Sequence, residues 1–432
     1  MTAPEDHVGI SVETRVVVIG LGYVGLPLAV RLATHFPTIG IDRDARRVAS
    51  LRVGYDHCGE VTPDVLAASE LAVTDDPAAG NGADIYIVTV PTPVDEDNRP
   101  DLSLLLTAST AVAGMLDPVR RPIVVYESTV YPGVTENECG AVLAQVSGLV
   151  RGRDFFLGYS PERINPGDRV HSVDRIIKVV AGETPEVTAR LCALYDKVTD
   201  AGTYPAASIR VAEAAKVIEN AQRDINIAFV NEVAQIMARL DLSVWDVLAA
   251  ARTKWNFLPF QPGLVGGHCI GIDPYYLSHC AEALGHSPAV ILAGRTTNDA
   301  MAHWVADRLC EAVPTPGCAL VLGLTFKENV ADLRNSKVAD VIARLRDHGH
   351  RVEVHDPRAD FAEARAEYGI DLLGSLPETK YDIVFLAVPH DEYRALSPER
   401  LAAMVRDGGV FGDLKNVFPS SPAFAHARRW TL

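Results

Sequence analysis

Arg15-Val16-Val17-Val18-Ile19-Gly20-Leu21-Gly22-Tyr23-Val24-Gly25 is the stretch from which the fold can be read. An apolar, β-branched run ends in three glycines spaced G-x-G-x-x-G, and a helical pattern begins at the last of them. The first glycine allows a tight turn, the second lets backbone approach a pyrophosphate, and the third permits close helix packing. The helix N-terminus offers unpaired N–H groups to the anion. Gly20, Gly22, Tyr23, Val24 and Gly25 are therefore expected to hold a dinucleotide. The next strand ends in Asp42, about twenty residues on, where a carboxylate can accept both ribose hydroxyls of an adenosine. That carboxylate would repel a 2′-phosphate, so NAD is favoured, while Arg43 beside it leaves some tolerance of NADP open. The plain alternative is a strand, turn and helix with incidental glycines; Asp42 weighs against it.

Outward from this stretch, residues 15–19, 39–41, 85–90 and 123–126 read as strands, with helical patterns opening at Gly25, Ala45, Leu102 and Val134. From about Ser208 to about Cys310 the period is helical, and residues 206–240 contain no Gly or Pro. A loop over residues 257–273 interrupts that region. Residues 319–322, 352–355, 383–387 and 409–411 then alternate with helices again. The expected fold class is α/β: two Rossmann-like doubly wound domains joined by a long central helix and a helical dimerisation region. The expected domains are residues 1–205, 206–312 and 313–432.

The chain has 432 residues, 48% hydrophobic and 22% charged, enough for two or three cores. Its net charge of −16 argues against nucleic acid or an anionic membrane as partner. Neither a membrane-spanning run nor an N-terminal signal peptide is recognisable. Seven cysteines with no C-x-x-C pattern suit a reducing cytoplasm, and no metal site is expected.

Residues 263–273 place Cys269 in a glycine-dense loop before a helix opening near Pro274. Small residues let a substrate carbon approach the sulfur, and a nearby helix N-terminus favours the thiolate. A buried structural cysteine is the common alternative. Lys216 and Asn220 stand four apart on the long helix, so they share one face and can donate to an oxygen that becomes negative during reaction. A solvated helix face carries the same spacing, as do the polar Asn226, Asn231 and Glu232 further along.

Together these motifs resemble the UDP-glucose/GDP-mannose dehydrogenase family over essentially the whole chain. The matching blocks are residues 20–25, Val90-Pro91-Thr92-Pro93, Glu127-Ser128-Thr129-Val130, Ser160-Pro161-Glu162-Arg163, residues 216–232 and 266–273, and Gly323-Leu324-Thr325-Phe326-Lys327 with Asp332, Arg334 and Ser336. The resemblance implies an NAD domain, a central helix that forms a homodimer, and a C-terminal domain for the UDP portion. It implies Cys269 as the nucleophile, with Lys216, Asn220, Asp273, Thr129 and Glu162 in supporting catalytic roles. Thr92, Thr129 and Arg334 fall at cofactor contacts. Glu162, Arg163, Asn165, Lys216, Asn220, Arg252, Gly266 and Lys327 fall at substrate contacts, Arg252 reaching the neighbouring subunit's sugar.

Two departures bear on the substrate. Ile272 stands where the glucose-specific branch usually has lysine, and Arg163-Ile164-Asn165-Pro166-Gly167 follows Ser-Pro-Glu where that branch reads differently. The pattern resembles the branch acting on UDP-N-acetylglucosamine or UDP-N-acetylgalactosamine. UDP-N-acetylmannosamine is a nearer rival than UDP-glucose. The implied reaction is a four-electron oxidation of the C6 hydroxyl to a carboxylate through a cysteine thiohemiacetal and thioester. A two-electron β-hydroxyacid dehydrogenase would share the opening domain and the lysine but need no cysteine.

Overall fold

The computed structural model describes residues 9–95, 97–163, 174–267, 270–419 and 421–432. Asn165, His268 and Cys269 lie outside the described residues. The chain divides into two compact units, the first comprising Met1–Glu219 with Tyr275–His286 and the second Asn220–Pro274 with Ser287–Leu432.

The first unit is built on eight strands: β1 (Val16–Ile19), β2 (Thr38–Ile41), β3 (Ala72–Thr74), β4 (Ile85–Val88), β5 (Ile123–Tyr126), β6 (Phe156–Tyr159), β7 (Lys178–Gly182) and β8 (Thr203–Pro205). Their order is β3-β2-β1-β4-β5-β6-β7-β8. Neighbours run parallel except the β6–β7 pair. Helices cover both faces, so each central strand is apolar throughout. Val16 and Val18 pack with Ile85, Ile87, Ile123 and Val125 on one face. Val17 and Ile19 pack with Tyr86, Val88, Val124 and Tyr126 on the other.

The second unit repeats the plan with β9 (Cys318–Leu322), β10 (Arg351–His355), β11 (Tyr381–Leu386), β12 (Val405–Asp413) and β13 (Arg428–Trp430), ordered β10-β9-β11-β12-β13 and parallel throughout. Leu320, Leu322, Val384 and Leu386 face one core, and Ala319, Val321, Ile383 and Phe385 the other. The expected α/β class with two doubly wound sheets is therefore observed.

The Gly- and Pro-free stretch forms one helix, Ile209–Arg239, of 31 residues, about 46 Å long at 1.5 Å per residue. The unit boundary falls within it, between Glu219 and Asn220. The solvated-face alternative does not hold at Asn231, which is fully buried along with Asp224. In the second unit Asp224 accepts from Arg295 at 2.6 Å and Asn298 at 2.7 Å, and Asn231 bonds Asn298 at 2.8 Å. Buried polar groups persist when they are paired in this way.

Among the described residues no helix is long and apolar enough to cross a membrane. The six described cysteines are free thiols, and Cys58 is exposed. Burial pushes the Cys139 thiol up to about 12 and the Cys310 thiol up to about 11, which marks both as unreactive.

Candidate functional site

The strand order reverses between β1 and β4, and crevices at such points, beyond the carboxyl ends of the strands, are where dinucleotides bind. The glycine loop leaves β1 there. Gly20 takes φ +92°, and its N–H bonds the Ile41 carbonyl at 2.8 Å, tying the loop to β2. A Cβ on Gly25 would lie 1.9 Å from the Gly20 carbonyl oxygen and 2.3 Å from Thr89 Oγ1, so the helix Gly25–Ala33 can start this close only with glycine. A Cβ on Gly22 would meet nothing within 4 Å. Val24, the residue before the helix, makes no side-chain cap, and the first turn carries no acid, so the positive end of the helix dipole is left uncompensated, although the Leu26 N–H is already bonded to the Gly22 carbonyl at 3.1 Å.

Asp42, at the end of β2, accepts the Leu21 N–H at 2.8 Å and the Asp44 N–H at 2.9 Å. It is partly exposed, with acceptor capacity left for a ribose. Arg43 points to solvent. Tyr23 and Val24 are partly exposed in the loop. These features fit an NAD molecule. Sequence reasoning missed Arg47, which is buried, ion-paired to Asp56 at 2.7 Å, and donates to the Leu21 carbonyl at 2.8 and 3.0 Å. It braces the glycine loop from beneath. Its only sequence signal is its place five residues after Asp42.

Thr92 and Thr129 come together beyond β4 and β5, where Thr92 Oγ1 donates to the Thr129 carbonyl at 2.7 Å. Ser128 Oγ donates to the Val90 carbonyl at 2.6 Å, and the Tyr276 hydroxyl to the Thr92 carbonyl at 3.0 Å. Glu162 follows β6 and is buried. One of its oxygens accepts the Arg163 N–H at 2.7 Å, and the other lies 3.4 Å from Lys178 Nζ. Lys178 also meets Glu127 at 2.6 Å, and Glu127 accepts the Tyr195 hydroxyl at 2.5 Å. Burial opposes the Lys178 ammonium, but the two carboxylates outweigh it and hold its pKa above the ordinary lysine value. Lys178 and Tyr195 were not legible as site residues. Arg163 is exposed and pairs with Glu219 at 2.8 Å. Lys216 is buried on the long helix of this unit.

In the second unit Asn220 Nδ2 donates to Asp273 Oδ2 at 2.5 Å, and Asp273 is buried where the helix Asp273–Ala283 opens. The approach to Cys269 is fixed by close packing. A Cβ on Gly266 would lie 2.5 Å from the Asn335 carbonyl oxygen. Gly267 takes φ +82° with the Phe326 ring 2.8 Å from where its Cβ would be. These glycines therefore serve the protein's own packing. Asn231 holds the loop's start by accepting the Gly263 N–H at 2.8 Å and donating to its carbonyl at 3.0 Å. Lys327 is partly buried, and Arg334 forks onto Asp332 at 2.9 and 2.6 Å. Arg252 is exposed and reaches the Phe260 carbonyl at 3.4 Å.

The sequence matches the UDP-glucose/GDP-mannose dehydrogenase family in its NAD binding domain over residues 14–199, its central domain over residues 210–300 and its UDP binding domain over residues 320–420. The chain belongs to the UDP-glucose/GDP-mannose dehydrogenase family. It is thus an NAD-dependent nucleotide-sugar dehydrogenase, and the two-electron β-hydroxyacid alternative is set aside. Within the family it is similar to Protein CapL of Staphylococcus aureus, 48% identical over 97% of this chain and 99% of that protein. It is also similar to the UDP-N-acetyl-D-glucosamine 6-dehydrogenase of Pseudomonas aeruginosa, 47% identical over 93% of this chain and 97% of that protein. Among solved structures, a UDP-D-ManNAc dehydrogenase from Pyrococcus horikoshii superposes with a TM-score of 0.86 at 28% identity, covering 96% of this chain and 98% of that one.

Proposed function

We propose that this family member oxidises the C6 hydroxyl of UDP-N-acetylglucosamine to the carboxylate, with two NAD consumed and water incorporated. The observation that carries the substrate is its 47% identity, nearly end to end, with the Pseudomonas enzyme of that specificity, against 28% with the UDP-D-ManNAc dehydrogenase. Ile272 in place of the glucose branch's lysine supports the same reading. NAD, when bound, accepts a hydride in each of two successive oxidations.

The remaining chemistry falls to side chains. The Cys269 thiolate adds to the C6 aldehyde to give a thiohemiacetal, whose oxidation leaves a thioester. Lys216 and Asn220 donate to the oxygen that gains charge in each tetrahedral species. Asp273 and Thr129 hold the water that takes the first proton, and Glu162 is the base for thioester hydrolysis. Gly20, Gly22, Gly25, Asp42, Thr92 and Arg334 hold the cofactor, and Arg163, Asn165, Arg252, Gly266 and Lys327 the UDP-sugar. A reducing cytoplasm suits an enzyme that depends on a free thiol.

The working form is a homodimer in which Arg252 reaches the partner's substrate. Phe229 and Ile236, seven residues apart on the long helix, and Leu240 just past its end support this, being large and exposed. Light scattering should give twice the chain mass. Purified protein offered a panel of UDP-sugars should release two NADH per UDP-N-acetylglucosamine consumed. One NADH per sugar, or a faster reaction with UDP-glucose or UDP-N-acetylmannosamine, would overturn the assignment.

A further inference from the structure

Glu162 does not sit alone. It shares a buried site with a lysine, a second carboxylate and a tyrosine that the scheme above leaves without a task. Lys178, the first residue of β7, places its ammonium 2.6 Å from Glu127 and 3.4 Å from Glu162, with 1% of its side chain exposed. Glu127, just beyond β5, is held on its other oxygen by Tyr195, whose ring lies 5.0 Å from the ammonium. The antiparallel turn of β7 against β6 brings the lysine back beside the residues that follow β6.

A charge placed this deep is costly unless its partners are fixed, and a purely structural pair needs only one carboxylate. Here the cation is shared. Glu127 holds it at short range and Glu162 at longer range, and the other oxygen of Glu162 accepts the Arg163 N–H. We infer that Lys178, anchored by Glu127 and Tyr195, is a positioning residue that aims the Glu162 carboxylate and balances its charge for thioester hydrolysis. The inference rests on the reading of Glu162 as the hydrolytic base.

In that step a water proton passes to Glu162 while the water oxygen bonds the thioester carbon. The C–S bond breaks, Cys269 leaves as thiolate, and the product acid ionises. No electrons are transferred, so Lys178 should matter to this step and not to either oxidation. Among the described residues the charged and titratable groups near Glu162 include Lys178 on β7, Glu127 beyond β5, Tyr195 on the helix Pro185–Tyr195, and the Arg163–Glu219 pair.

The test compares wild type, Glu162→Gln, Lys178→Arg and the charge-neutral double variant Glu127→Gln/Lys178→Met, which removes the tight ion pair together and leaves Glu162 without its cation. Single-turnover NADH release, steady-state kcat against pH, the mass of the protein during turnover and the melting temperature are recorded. Expected for the double variant is a normal burst of two NADH. Its kcat should be lower by about tenfold or more, with sugar retained on the protein by mass. Lys178→Arg should restore most of the rate. A double variant with the wild-type kcat and no sugar retained on the protein overturns the inference. So does an equal fall of burst and steady state, which marks a loss of fold. Full turnover by Glu162→Gln without a trapped adduct removes the reading beneath it, and the inference with it.

Discussion

Gly22→Ala and Gly25→Ala add the same methyl three residues apart, and the structure assigns them opposite consequences. At Gly25 the new carbon would start 1.9 Å from the Gly20 carbonyl oxygen, and that oxygen is not free to move, since it accepts Thr89 Oγ1 at 2.7 Å. Ordinary contact near 3.5 Å requires a backbone shift of about 1.5 Å, and overpacking of this kind costs about 1–3 kcal/mol. The first unit should melt several degrees lower. Gly22 has no positive φ and nothing within 4 Å of its Cβ position, so alanine fits the free protein without strain. Its melting temperature should be unchanged or slightly raised, as expected for a Gly→Ala change at a compatible backbone. The methyl would instead meet the pyrophosphate. If the same 1–3 kcal/mol is lost on binding, NAD affinity falls about 5- to 150-fold. Differential scanning calorimetry without ligand and isothermal titration with NAD separate the two effects. A Gly22→Ala protein that binds NAD as wild type does, or a Gly25→Ala protein with unchanged melting, would refute the geometry of the loop.

Other expectations follow from single contacts. Cys269→Ser should release little or no NADH beyond a first turnover, and wild-type steady-state turnover would exclude the covalent route. Asn231→Ala leaves both polar groups of Gly263 buried and unpaired, so chemical denaturation should show a loss of about 1–3 kcal/mol; an unchanged midpoint refutes this. Asp42→Ala should weaken NAD and narrow its advantage over NADP, and an unaltered NAD/NADP ratio of kcat/KM would deny Asp42 its role. Asp356 is buried, which alone would raise its carboxyl, but His390 and the Leu324 and Thr325 amides pull it down to about 2. Its folded pKa lies below the unfolded one, so its stabilisation, about 2 kcal/mol, is present above about pH 4 and lost as pH falls toward 2. Asp356→Asn should flatten the stability profile in that window.

What the sequence revealed was whatever depends on contiguous residues. β1, the glycine triad and Asp42 are spaced by the chain itself, and the three-dimensional arrangement only confirms which glycine is crowded and which is open. The uninterrupted helical stretch after Ala206 was legible for the same reason. Short strands escaped: Ala72-Val73-Thr74 and Thr203-Tyr204-Pro205 carry too few residues for a period to show, and tertiary pairing makes them strands. Arg47, Lys178 and Tyr195 escaped because their partners, Leu21, Glu127 and Glu162, stand 16 to 68 residues away. A lone cation or tyrosine in a sequence says nothing of such company. Asn231 stayed open between a solvated and a buried place because an asparagine on a long polar helix does not show its partners, Asn298 and Gly263, in the sequence.

The two units share a crossover whose details decide how many cofactors one chain can hold. In the first, the N–H after the first glycine, that of Leu21, bonds the carboxylate ending β2; in the second, the corresponding N–H of Leu324 after Gly323 bonds Asp356, just beyond β10, at 2.6 Å. The likeness ends at the carboxylate. Asp42 has two backbone donors and open sides. Asp356 accepts the N–H groups of Leu324, Thr325, Arg358 and Ala359 and faces His390 at 3.1 Å. His390 Nδ1 accepts the Asn329 N–H, so its proton lies on Nε2 and points at Asp356 and Thr325. A carboxylate offers about four lone-pair positions, and these are spent. A ribose could bind there only by displacing the protein's own donors, so the second crossover is closed to a dinucleotide. Each chain should therefore bind a single NAD, and the two oxidations must proceed by exchange of NADH for NAD at one site while the sugar is retained. Calorimetric titration should give one NAD per chain. Two would show that the second crossover opens and that its carboxylate is available after all.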